Sequence, residues 1–284
     1  MAGSSMKDIN TRIKSITGTK QITKAMELVA ASKLQKAKMQ IANSRDFHLA
    51  IYNAMSDIIE RNIYTDSPYL ISREIKKSCY VIIGGDRGLA GGYNGNVFRL
   101  AKEKMEDKKV CILPIGKRTT EYFKNQGFEI VSTEFSRIED INVGSCHDIA
   151  DLITEMYQKE EFDEVFVVFT HFVSLMSQQP GVVKILPMDS SLQGGKSNNK
   201  KDFLLIEPSS NAVFNSIVPS FIAGMMWGSV NESLTSEYAA RRIAMESATK
   251  NAEEIIEDLG RRYNRARQGS ITQEITEIIA GSGI

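Results

Sequence analysis

About seventy consecutive residues, Ser210 to Ile279, read almost without interruption as one helix. At about 1.5 Å per residue such a helix would span on the order of 100 Å. A compact domain of 100 residues is only ~26 Å across, so a small globular core cannot hide it. Its apolar residues recur in steps of three and four: Tyr238, Met245, Ala248, Ala252, Ile255, Leu259, Tyr263, Ala266, then Ile271, Ile275 and Ile278. That pattern is a narrow seam rather than the broad face of a globular helix, and a seam needs a partner of similar length.

The only matching stretch lies at the other end of the chain. Lys7 to about Asn62 carries Ile9, Ile13, Ile16, then Ile22, Met26, Val29, and later Ile51, Met55, Ile58 at the same steps. Turn chemistry at Thr65-Asp66-Ser67-Pro68 ends it. The centre follows a different pattern. Short apolar runs at Cys79–Ile83, Val110–Leu113, Phe128–Val131, Glu164–Thr170 and Val182–Leu186 alternate with helical segments near 118–125 and 145–157. Alternation of that kind predicts an α/β domain with a largely parallel sheet. A polar linker, 194–201, precedes an extended stretch at 203–207 and a helix start at Pro208-Ser209. The predicted fold is therefore α/β plus long α: an antiparallel coiled coil of the N- and C-terminal helices with an inserted Rossmann-like domain. The expected boundaries are 1–62, 76–195 and 210–284, the last pairing with the first.

Net charge is zero, but residues 7–38 hold eight Lys or Arg against Asp8 and Glu27. Such a helix faces water, nucleic acid or an acidic protein surface. It has no interleaved aromatic residues or docking motif to favour nucleic acid. Cys79, Cys111 and Cys146 are far apart and fit no metal spacing, which suits a reducing compartment. The most apolar segment, Ile217–Trp227, is too short for a membrane span and contains Pro219.

Candidate chemistry is sparse. Gly84-Gly-Asp-Arg-Gly-Leu-Ala-Gly-Gly92 follows a strand, where phosphate loops occur, yet its glycines do not fit the dinucleotide spacing. Gly195-Lys196-Ser197 lacks the glycine a P-loop needs five positions earlier. His48, His147 and His171 are scattered, and Cys146 and His147 would point apart on a helix. No catalytic residue, cofactor or metal is expected.

Three stretches carry a family resemblance: ITKAMELVAASKL from Ile22 to Leu34, GDRGLAGGYN from Gly85 to Asn94, and SEYAARRIAMESATKNA from Ser236 to Ala252. With Tyr263-Asn264 and Arg267-Gln268-Gly269-Ser-Ile-Thr-Gln-Glu-Ile275, the chain resembles, over nearly its whole length, the gamma subunit of bacterial F-type ATP synthases. It departs from the pattern at Ala90, where many members have cysteine, and at Gly269, where many have alanine. It also lacks the cysteine-bearing insertion of chloroplast members.

The resemblance implies a non-catalytic rotor that transmits torque between the membrane c ring and the alpha/beta ring, in ATP synthesis coupled to proton transport. The implied partners are the alpha, beta and epsilon subunits and the c ring, with no nucleic acid and no small-molecule substrate. The implied place is the cytoplasmic face of the cell membrane. Lys24, Met26, Asp86, Arg87 and Ala90 would lie near the acidic lever segment of beta, and Arg267, Gln268, Thr272, Ile275 and Ile278 would meet the bearing and loops of the ring. Two other classes stay open: a nucleotide-dependent enzyme with its site in the α/β domain, and a free-standing coiled-coil scaffold.

Overall fold

The structure, a computed structural model, describes residues 6–60, 67–188 and 210–281, and their side chains except at 42–54, 56–60 and 210. The expected linker at 194–201, the extended stretch at 203–207 and the helix start at Pro208-Ser209 lie outside the described residues. The chain divides into two compact units, one of Met1–Ser32 with Arg241–Ile284 and one of Lys33–Ala240.

The larger unit is built on a five-stranded sheet of order β3-β2-β1-β4-β5. Its strands are β1 (Ser78–Ile83), β2 (Val110–Ile115), β3 (Glu129–Ile130), β4 (Glu164–Phe172) and β5 (Gln178–Leu186). β1 is central and wholly buried, which explains its unbroken apolar run. Its side chains alternate between two cores. Cys79, Val81 and Ile83 join Cys111 and Leu113 under α4 (Val143–Gln158) and under the first part of α5 (Ser210–Gly281). Tyr80 and Ile82 join Ile112 under α2 (Tyr93–Met105) and α3 (Lys117–Asn125). The result is a sheet covered on both faces.

The sheet is parallel from β3 to β4, but β5 runs antiparallel to β4, with Thr170 opposite Pro180. A turn at Val173–Ser177 is too short for a parallel crossover, so β4 must fold straight back. Gln178-Gln-Pro-Gly181 reads as loop in sequence because of its proline and glycine. An edge strand tolerates both, and the strand starts four residues earlier than its apolar core suggests.

α5 continues through Pro219 without a break. An interior proline removes one helix hydrogen bond and costs ~3 kcal/mol. The burial of Phe214, Val218, Phe221, Ile222, Met226 and Val230 against the sheet offsets that cost. By length and composition α5 could cross a membrane, but half of its most apolar window is buried within the protein. The second part of α1 (Met6–Glu60) also belongs to this unit: Met55 is fully buried in the main core. Leu34 and Ala37 pack with Tyr238 and Ala239 of α5.

In the smaller unit the two helices pair antiparallel. The hydroxyls of Thr23 and Thr249 lie 2.8 Å apart, and Lys20 meets Glu253 at 2.9 Å. The least exposed line on α1 runs Ile9, Ile13, Ile16, Lys20, Thr23, Glu27, Ala30. On α5 it runs Met245, Thr249, Ala252, Ile256, Leu259, Tyr263, Ala266. Both lines step four and three alternately, a heptad repeat. They correct the expected seam in two places. Ile22 and Val29 point outward, 62% and 57% exposed, and Ile256 rather than the exposed Ile255 occupies the seam. The mid-seam positions of α1 are polar, so hydrophobic periodicity picked out the second apolar stripe of the same helix.

Candidate partner-binding surfaces

The carboxyl edge of the sheet is where an open α/β fold takes a ligand. The chain leaves β1 towards β2 and β3, then returns to β4 on the other side of β1, so the crevice lies beyond β1 and β4. α5 fills that place. Past the last β1–β4 pair, Ile82 with Val168, the Thr170 N–H donates to Ser233 Oγ (3.3 Å). The Ser236 hydroxyl donates to the Thr170 carbonyl (3.2 Å), and the Tyr93 hydroxyl donates to the Ser233 carbonyl (3.1 Å). The buried Glu237 carboxyl sits so close to Gly85 that an added Cβ would come within 2.7 Å of it. The backbone N–H and C=O of Thr170 are thus satisfied by the chain's own helix.

The start of α3, a ready-made anion site, is occupied as well. Asp86 accepts the Lys117 N–H at 2.9 Å, and Gly85 C=O accepts the Arg118 N–H at 3.1 Å. The same Asp86 carboxylate accepts the N–H groups of Ile138 (3.0 Å) and Glu139 (3.2 Å) in the 3-10 turn Ile138–Asp140. A carboxylate taking three backbone N–H bonds is a structural clamp. The glycine-rich loop is built to hold its own strand ends together.

Of the residues expected at partner interfaces, the structure places Asp86 in this clamp and buries Ala90. Arg87 is exposed between them, with its carbonyl accepting from Asn94 Nδ2 at 3.4 Å. Leu89 beside it was not anticipated. It is 64% exposed and adopts φ 62°, a left-handed conformation unfavourable for a branched aliphatic residue. Strain of ~1–3 kcal/mol persists only where the surroundings impose it, often at a functional surface. No sequence signal marks a positive φ at a leucine.

In the smaller unit Lys24 is exposed and pairs with Glu27 at 3.0 Å, and Met26 is half-buried beside the outward stripe of Ile22 and Val29. At the end of α5, Arg267, Gln268, Thr272, Ile275 and Ile278 are all exposed. By the register at Thr23–Thr249, Met6 stands opposite about residue 266. From Arg267 onward every described residue is exposed except the half-buried Ser270. Leaving Ile271, Ile275, Ile278 and Ile279 in water forgoes ~1.5–3 kcal/mol each relative to burial.

One carboxylate and the thiols complete the electrostatics. Glu139 is held below the usual carboxylate range, chiefly by its bond from Lys33. Burial pushes the Cys146 thiol up to about 12. At pH 8 its thiolate fraction is then about one in ten thousand. The Cys111 thiol is pulled down by its bond with Cys79, but both are buried, so access keeps them unreactive. A thiol-disulfide reagent should therefore detect no reactive cysteine in the native chain at pH 8 and all three in guanidinium. A fast-reacting native thiol would contradict this packing.

An α/β unit whose ligand crevice is closed by its own long helix, joined to a two-helix seam with an uncovered apolar end, defines a subunit of a larger assembly. The family model described as ATP synthase matches residues 5–283. An ATP synthase gamma chain from Alkaliphilus metalliredigens is 40% identical over 99% of this chain and 98% of its own length. A gamma chain described as sodium ion specific, from Acetobacterium woodii, is 36% identical over 98% of this chain and 97% of its own. Among solved structures, a chain of the Euglena gracilis mitochondrial ATP synthase (OSCP/F1/c-ring) has a TM-score of 0.67 at 19% identity, covering 98% of this chain and 96% of that one. The chain belongs to the ATP synthase gamma-chain family.

Proposed function

We propose that this chain is the central-stalk rotor of a bacterial F-type ATP synthase. It carries torque between the membrane c ring and the alpha/beta ring, coupling ATP synthesis to proton transport. The observation that carries the reading, beside family membership, is the exposed end of α5 from Arg267 to Ile279. Four isoleucines cannot stay in water at no cost, and a ring of alpha and beta subunits is the apolar bearing that would cover them.

The mechanism is differential contact. A single asymmetric shaft touches each of three beta subunits differently, so identical sites differ in nucleotide affinity, and turning the shaft exchanges those states. The outward stripe of Ile22, Met26 and Val29 with Lys24, and separately the Arg87–Leu89 loop tip, would be the surfaces that meet beta. Asp86 and Ala90 would act by shaping that loop. The α/β unit would sit near the membrane with the epsilon subunit and the c ring, on the cytoplasmic face.

Phosphate chemistry would belong to beta. The filled crevice and the capped α3 terminus support a non-catalytic role over the nucleotide-enzyme reading. Co-expression with alpha and beta subunits tests it. A stable complex with ATPase activity is expected, and the chain alone should bind no ATP. A chain that purifies apart from alpha and beta, or that binds ATP unaided at micromolar levels, would overturn the reading.

A further inference from the structure

In the larger unit α1 is anchored by Met55 in the main core, and its Leu34 and Ala37 pack with Tyr238, Ala239 and Phe172. Apolar contact is non-directional, so this packing sets the rotation of the helix less sharply than a hydrogen bond does. Lys38 Nζ lies over the Phe172 ring there, 5.1 Å from its centroid, and a hydrogen-bonded contact stands beside it. Glu139 Oε1 accepts from Lys33 Nζ at 2.7 Å and from the Tyr238 hydroxyl at 3.3 Å, joining both long helices at one atom. Lys33 also lies over the Tyr238 ring, 5.3 Å from its centroid. Glu139 is itself fixed: Asp86 holds its N–H, and its neighbour Ile138 is fully buried.

We propose that Glu139, seated by Asp86, is the positioning residue that fixes the rotational setting of α1 against the α/β core. Torque generated at one end then passes into α1 without slip. This rests on the rotor reading and adds to it a specific transmission point. It also explains why the motif aspartate points inward: its work is to place Glu139, a charge-assisted and therefore directional acceptor.

The test uses the whole complex, with its membrane sector, in sealed vesicles. ATP hydrolysis and ATP-driven ion pumping are measured together for wild type, Glu139→Gln, Lys33→Met and the double variant. Hydrolysis should stay within about two-fold of wild type, while ions pumped per ATP fall at least about three-fold in each single variant. The double variant should be no worse than either single, because both remove the same bond. Lys33 is partly exposed, so its variant reports even if Glu139→Gln assembles poorly. Unchanged pumping per ATP in Lys33→Met, or additive losses in the double variant, would overturn the proposal. Failure of the rotor reading would look different: the wild-type chain would be absent from the complex before any variant is made.

Discussion

The Arg267→Ala, Gln268→Ala double variant should leave the isolated chain as stable as before, yet assemble poorly or lower the ATPase activity of the complex at least about ten-fold. Both side chains are exposed on α5, and alanine is an excellent helix former, so the chain itself should change by no more than about 0.5 kcal/mol. The loss belongs to the partner. Arg offers a planar fork that can hold a carboxylate at two points and release it as the shaft turns. Removing one member of a desolvated charge pair costs ~2–5 kcal/mol, partly by stranding the other. Melting of the isolated chain and ATPase of the complex separate the two effects. Full assembly and full activity would mean that Arg267 is one more solvated charge beside Arg261, Arg262 and Arg265.

The largest stability loss should come from Gly116→Ala. Gly116 adopts φ 101°, and a Cβ there would lie 2.1 Å from the Gly84 carbonyl oxygen, a backbone atom that cannot swing away. Overlap and unfavourable φ together should cost at least about 3 kcal/mol. The damage would spread to the α3 start and to the Asp86 clamp built on the next residue, Lys117. Gly95→Ala is the matched control. Gly95 lies within α2 with open space where a Cβ would go, so alanine should stabilise by up to ~1 kcal/mol. Urea unfolding of the two variants should move the midpoint in opposite directions; equal midpoints would refute the packing described for this loop.

How much of this was legible in the sequence depends on range. The long helices, the buried strands and their order along the chain follow from local periodicity, which is set by residues three or four apart in helices and two apart in strands. The choice between two apolar stripes on α1 does not. Ile22, Met26 and Val29 repeat as regularly as Ile9, Ile13 and Ile16, but the helix turns inward through Lys20, Thr23 and Glu27, which carry no hydrophobic signal. Their pairing with Glu253 and Thr249 on α5 can be known only once the two helices are aligned.

The glycine-rich loop shows the same limit. Its place after a strand raised a phosphate loop that its glycine spacing did not support, and the resemblance suggested a partner surface for Asp86. The clamp depends on Lys117, Ile138 and Glu139, more than thirty residues away. Nor do Ser233 and Ser236 stand out as crevice-filling residues within a helix, because their partner Thr170 lies on a strand that ends beyond its neighbour. Exposure at the end of α5 was readable earlier, since the α5 stripe outruns the first apolar residue of α1.

Rotation is the direct test of the whole account. A single cysteine introduced at the exposed position Glu103 would carry a visible probe, the native cysteines being buried and unreactive. With the alpha/beta ring fixed to a surface, ATP should drive the probe in one direction in steps of about 120°, as a ring of three repeats requires. A probe that stays still while the ring hydrolyses ATP would contradict the assignment of this chain as the rotor.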